Sequence, residues 1–129
     1  MTPRAFLTLT ILPGLYTISR LQPDAEVPAW CIGEFVSVSR TTDELSIVCP
    51  ESNVPKGITC EPEWRILKCE GPLDYGLPGI MASLAEPLAD AGVPIFPIAT
   101  YDTDYILVKE THLETAINAL NRYGHAVRA

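Results

Sequence analysis

The stretch WRILKCEGPLDYGLPGIMASLAEPLADAGVPIFPIATYDTDYILVKETHLETAINALNRYGHAV, residues 64–127, decides the fold. It reads as strand, glycine-containing loop, helix, strand, tight turn, strand, helix and short strand. Leu77, Ile80, Met81, Leu84, Leu88 and Ala91 recur at helical spacing. Pro78 suits a first helical turn and Gly92 the left-handed residue beyond the end, which predicts a helix from about Pro78 to Ala91. Pro87 inside that span removes one backbone donor and is expected to bend the last turn. Pro94–Thr100 and Asp104–Lys109 are apolar and β-rich, and Tyr101-Asp102-Thr103 between them suits a hairpin. Thr111 with Glu114 forms a capping-box signature. Leu113, Ala116, Ile117 and Leu120 mark the buried stripe of a last helix closed by Gly124. Two helices on one face of an antiparallel sheet, in the order β-α-β-β-α-β, make an α+β ferredoxin-like unit.

The first half carries shorter signals. Phe6–Leu12 and Tyr16–Leu21 flank the turn signal Pro13-Gly14 and suit a hairpin. Phe35–Arg40 and Leu45–Cys49 make a second strand pair across Thr41-Thr42-Asp43. Between the pairs, prolines at 23 and 28 limit any helix to a short one. Pro50–Pro62 carries three prolines and a glycine without periodicity, and serves equally as a boundary or a surface loop. The resulting division is 1–60, a degenerate version of the same unit with its helices cut short, and 61–129, the complete one.

At 129 residues and 47% hydrophobic content the chain suits one ordinary domain or two very small subdomains sharing a core. A net charge of −7 disfavours nucleic acid and anionic lipid, because phosphate binding rests on clustered Lys and Arg. Cys31, Cys49, Cys60 and Cys69 contain no CxxC pair and no histidine pair to complete a zinc set; reduced, buried thiols in a cytoplasmic protein are expected, with no metal and no cofactor. The apolar run after Arg4 lacks a small-residue cleavage site and is interrupted by Pro13-Gly14, so neither an export signal nor a membrane span is expected.

The segments Trp64–Lys68, Gly79–Ala89 and Ala99–Lys109 resemble the ACT-domain family, in particular the subfamily containing a cytosolic arginine sensor and small bacterial ACT proteins. Phe35–Thr41 and Asp43–Cys49 resemble the first ACT-like unit of these small proteins. The resemblance implies two ACT-type units in tandem, the first degenerate. It also implies a non-catalytic regulatory protein that binds an amino acid at an interface between units, and a homodimer.

A free amino acid presents a carboxylate beside an ammonium group, so its pocket needs donors for one and acceptor oxygens for the other. The amides of Gly79 and Ile80 stand at the predicted helix start, where partial positive charge favours an anion, and Gly79 permits close approach. By the resemblance, Asp104 matches an acidic position at the family's ligand site and would meet the ammonium group; Thr100 and Tyr101 match neighbouring pocket positions. Each has a plainer reading: a turn glycine at 79, a turn cap at Asp104, an edge aromatic at Tyr101. Leu77, Met81, Ile95 and Phe96 suit the core, and Trp30 and Trp64 the core or a subunit contact. Asp74, Asp102, Glu61, Glu63 and Glu70 read as solvated charges.

No catalytic residue is assigned. His112 and His125 lack a Cys, Ser or Asp partner at a recognised spacing and read as surface histidines, and Ser83 has no GxSxG elbow. An acyl-phosphate hydrolase on this scaffold would need a basic cradle, and Gly71–Gly79 holds no Arg or Lys. The remaining alternative is an oligomerisation or partner-binding module whose sheet edges pair between chains.

Overall fold

The computed structural model describes residues 6–71 and 79–129. Its elements run β1 (Thr8–Ile11), β2 (Tyr16–Leu21), β3 (Ser37–Arg40), β4 (Leu45–Pro50), β5 (Cys60–Cys69), α1 (Ile80–Asp90), β6 (Phe96–Ala99), β7 (Asp104–Lys109), α2 (Leu113–Tyr123) and β8 (Ala126–Arg128). Two compact units emerge, Gly14–Trp64 and Met1–Pro13 with Arg65–Ala129, and β5 begins in the first and ends in the second.

The larger unit has the α+β order expected from its sequence, β5-α1-β6-β7-α2-β8. The hairpin expected between Phe6–Leu12 and Tyr16–Leu21 does not form. Instead β1 lies between β5, which it pairs antiparallel through Leu9↔Cys69, and β8, which it pairs parallel through Leu9↔Val127. The N-terminal strand, assigned on sequence to the 1–60 half, therefore belongs to the sheet of the second half. Leu9 is fully buried there, and a central position satisfies both edges of a strand that a two-stranded hairpin leaves half open. On the far side β7 pairs β5 and forms the expected hairpin with β6, with Phe96↔Leu107 and Ala99↔Asp104 in register.

The core of this unit joins Leu9, Leu67, Cys69, Ile106 and Val108 of the strands to Leu84 and Leu88 of α1 and Ala116, Ala119 and Leu120 of α2. Met81 and Ile95 pack against it, as expected, while Leu77, Asp74 and Pro78 lie outside the described residues. Gly92 and Gly124 take the left-handed conformation after each helix, with φ of +75° and +118°. The capping box does not form. A 3₁₀ turn, Glu110–His112, precedes α2 and holds Thr111 inside it, leaving His112 at the cap position without a side-chain hydrogen bond to the helix. Thr111 lacks the extended backbone that a capping hydroxyl requires.

His125 is a second correction. It is buried, 4% exposed, rather than a surface residue. Its Nδ1 accepts the Leu7 N–H at 3.0 Å, which leaves Nε2 as the protonated nitrogen that donates to the Ser83 carbonyl at 2.7 Å. That carbonyl is the one whose intrahelical donor Pro87 removes, four residues on. The ring stacks on Tyr123 with centroids 5.5 Å apart.

In Gly14–Trp64, β4 pairs β2 and β3, and β2 also pairs the first residues of β5. No α-helix occurs among its described residues. Leu45, Ile47 and Cys49 form its buried cluster, covered by Leu21, Ala25, Trp30, Cys31 and Val54. A bulge opposite Tyr16 and Ile18 places Glu63 at φ +67°, and the Glu51 carboxylate holds it by accepting the Glu63 N–H at 2.7 Å.

All four cysteines are free, and the expectation of four buried thiols holds for Cys49 and Cys69, whereas Cys60 is exposed and Cys31 half-buried. Burial, helped by the neighbouring Cys31, pushes the Cys49 thiol from 9.0 to about 11. Burial, then the charges of Asp104 and Glu70, pushes Cys69 to about 12. Folding therefore holds these protons more tightly than the unfolded chain does. The associated stability is complete below about pH 9 and is lost as the pH rises through 11 to 12. The expected result is alkaline unfolding in that window, followed by circular dichroism, and alkylation at neutral pH that modifies Cys60 first and reaches Cys49 and Cys69 only with denaturant.

Candidate ligand site

α1 starts abruptly. Gly79 stands before it at φ +84°, with no side-chain cap and no acidic residue in the first turn. The first helical bond runs from the Ser83 N–H to the Gly79 carbonyl at 2.9 Å, so the amides of Ile80, Met81 and Ala82 have no acceptor within the helix. The Ile80 side chain is buried, leaving its amide as the group it offers, and the Ser83 hydroxyl turns inward to donate to the Ile80 carbonyl at 2.7 Å. The positive end of the helix is thus left uncompensated by its own residues.

The β6–β7 turn is clamped from both sides. The Thr100 N–H and hydroxyl both donate to the Thr103 carbonyl, at 2.8 and 2.9 Å. The buried Thr103 hydroxyl donates in turn to the Cys69 carbonyl at 2.7 Å, fastening the turn to the last residue of β5. Tyr101 projects from the tip, 85% exposed. Asp104 opens β7, half-buried, and side chains alternate along a strand, so it shares a face with Ile106 and Val108 of the helix-side core. Its charge acts on the Cys69 thiol, which faces the same way. Of the five residues singled out on sequence, Asp104 and the backbone of Gly79 and Ile80 therefore belong to the helix side of the sheet and Tyr101 to the turn tip.

Thr100 belongs elsewhere. With Lys68, Glu70, Gly71, Asp102, Thr103 and Tyr105 it lines a cavity of about 270 Å³. Glu70, expected to be merely solvated, is a hub: it accepts the Thr10 hydroxyl at 2.7 Å and Arg128 Nη2 at 3.3 Å, with Lys68 Nζ at 4.0 Å. The Thr10 bond, with Arg128 and Lys68 behind it, holds this carboxyl below the usual range. Sequence reasoning missed Lys68, Thr103 and Tyr105; the alternation of β5, apolar at 67 and 69 and charged at 68 and 70, was the available signal for the first. Both nitrogens of His125 are spent on backbone groups. Among the described residues no group of three His, Cys, Asp or Glu side chains could hold a metal ion, and no helix is long and apolar enough to cross a membrane.

Residues 59–122 match the profile of the ACT domain, and residues 14–57 match that of a separate N-terminal domain family. A protein of Agobacterium tumefaciens known from its X-ray crystal structure is 38% identical, with a TM-score of 0.92 over 97% of this chain and 95% of that one. The regulatory subunit of aspartate kinase from Thermus flavus shares the fold at 12% identity, with a TM-score of 0.65 over 92% of this chain and 99% of that one. The human protein named cytosolic arginine sensor for mTORC1 subunit 1 is 37% identical over 60 residues, 46% of this chain. That match covers 18% of the sensor, so the chain corresponds to about a fifth of the curated relatives it resembles.

Proposed function

This chain belongs to the ACT-domain family, and from that premise we propose that it is a non-catalytic regulatory protein that binds a free amino acid. The observation that carries the reading is the start of α1: a left-handed Gly79, no cap, no acid in the first turn, and Asp104, at the start of β7, on the helix side of the sheet. The amides of Ile80 and its neighbours take the carboxylate of the effector, and Asp104 takes its ammonium group. Tyr101, at the tip of the adjoining turn, adds a contact, Thr100 lies in the cavity on the other face rather than in this site, and a second ACT-type unit closes the site. In this reading residues 1–60, apart from β1, are the degenerate unit, and two copies of the chain associate in the cytoplasm. The 37% identity to the cytosolic arginine sensor supports the ligand class.

A thermal shift screen against the free amino acids tests this. An effector present at a hundredfold excess over its Kd adds about 2.7 kcal/mol, a rise in Tm of roughly 10 °C for a chain of this size. Asp104→Ala is expected to abolish that rise while leaving the Tm of the free protein within a few degrees. A screen blank for every amino acid would overturn the reading. It would favour an oligomerisation module, for which Val36 and Val38, exposed at and beside the β3 edge, supply an apolar strip.

A further inference from the structure

The cavity beside Tyr105 lies on the opposite face of the sheet from Asp104. Leu67 and Cys69 of β5 enter the helix-side core, so Lys68 and Glu70 project the other way, as Tyr105 does on β7. The Thr100–Thr103 turn walls one side, fixed there by the Thr103 bond to Cys69. The charges in this cavity are met unequally. Glu70 is offset within the fold by the Thr10 hydroxyl and Arg128. Lys68 forms an ion pair with Glu70 at 4.0 Å, longer than a hydrogen bond, so among the described residues its ammonium has a charge partner but no close hydrogen-bond acceptor. Asp102, on the turn, is exposed. Among the described residues, a cation whose ion pair is loose and an exposed anion thus stand at separate edges of the same hollow, on β5 and on the turn.

We propose that this hollow is a second small-molecule site, for a compact ligand with an anionic group at one end and an ammonium group at the other. Lys68 holds the first group and Asp102 the second, and the Tyr105 ring forms a wall between them. A volume of about 270 Å³ fits a molecule the size of an amino acid, since pockets for drug-sized ligands run from roughly 300 to 1,000 Å³. Among the described residues no arginine and no helix start lines the hollow, so there a phosphate-bearing ligand lacks its usual cradle. The inference stands apart from the Asp104 site: it uses different side chains on the other face of the sheet.

The test follows backbone amide shifts of the nitrogen-15-labelled full chain during titration with each free amino acid, and with its N-acetyl and α-amide derivatives. At least one amino acid is expected to move the amides of Lys68, Thr100, Asp102 and Tyr105. Lys68→Met and Asp102→Asn should each weaken that response by about tenfold or more, and Asp104→Asn should leave it within about twofold. Both derivatives should bind more weakly than the parent, because each removes one of the two charges. The proposal is overturned if these amides stay still for every amino acid, if the derivatives bind as well as the parent, or if Asp104→Asn abolishes the response. Silence of the Gly79–Ser83 amides would instead count against the effector site on the helix side, so the two failures are distinguishable.

Discussion

Replacing His125 with phenylalanine is expected to lower the unfolding free energy by about 3 kcal/mol. The ring volume and the stack on Tyr123 are retained, but two backbone groups lose their partners: the part-buried Leu7 N–H, which donates to Nδ1, and the buried Ser83 carbonyl, which accepts from Nε2. An unmet buried polar group costs about 1–3 kcal/mol, and two of them set the total. Denaturant unfolding at neutral pH should show the loss, with a fall in Tm of roughly 10 °C. The Ser83 carbonyl is orphaned only because Pro87 has no N–H to give it. Pro87→Ala restores that donor, so His125→Phe combined with Pro87→Ala should recover about 1 kcal/mol relative to His125→Phe alone. A double variant no more stable than the single one would show that the histidine acts through packing rather than through this carbonyl.

Gly33→Ala should be comparably damaging, in the other unit. Gly33 has φ +149°, and a Cβ built on it would stand 2.4 Å from Cγ and 2.7 Å from Cδ of Pro50. A proline ring cannot rotate away as a long side chain does, so the backbone must move. Strain and overpacking together put the cost at about 2–4 kcal/mol. Trp30, packed on the Leu45–Ile47–Cys49 cluster of the same unit, reports the change by fluorescence. Adding Pro50→Ala removes both contacting carbons and should return a good part of the loss. If it returns none, the backbone angle of Gly33 and not the contact is the controlling term.

Much of the fold was legible because the responsible forces are local. The stripe of Leu84 and Leu88, the glycines at 92 and 124, and the apolar runs on either side of Tyr101-Asp102-Thr103 each act within a few residues, and α1, β6, β7 and α2 form where these signals lie. The Thr111 capping box failed because a competing 3₁₀ turn used the same residues, a choice between two local structures of similar energy. At the site, the sequence put the helix start at about Pro78, whereas α1 begins at Ile80 with a left-handed Gly79 before it. Thr103 was not, since its role rests on the Cys69 carbonyl, 34 positions away.

Sequence alone determined the α+β order of residues 64–127, the glycines that close both helices, and the placement of a glycine and an acid near successive element starts, because periodicity, glycine conformation and turn chemistry are properties of short segments. Tertiary structure decided where β1 goes, why His125 is buried, and which of Lys68, Glu70, Asp104 and Tyr105 share a face. Those outcomes depend on pairing register and on polar groups meeting across long separations: Thr10 meets Glu70, Leu7 meets His125, and Ser83 turns to a ring 42 positions on because a proline withheld the nearer donor.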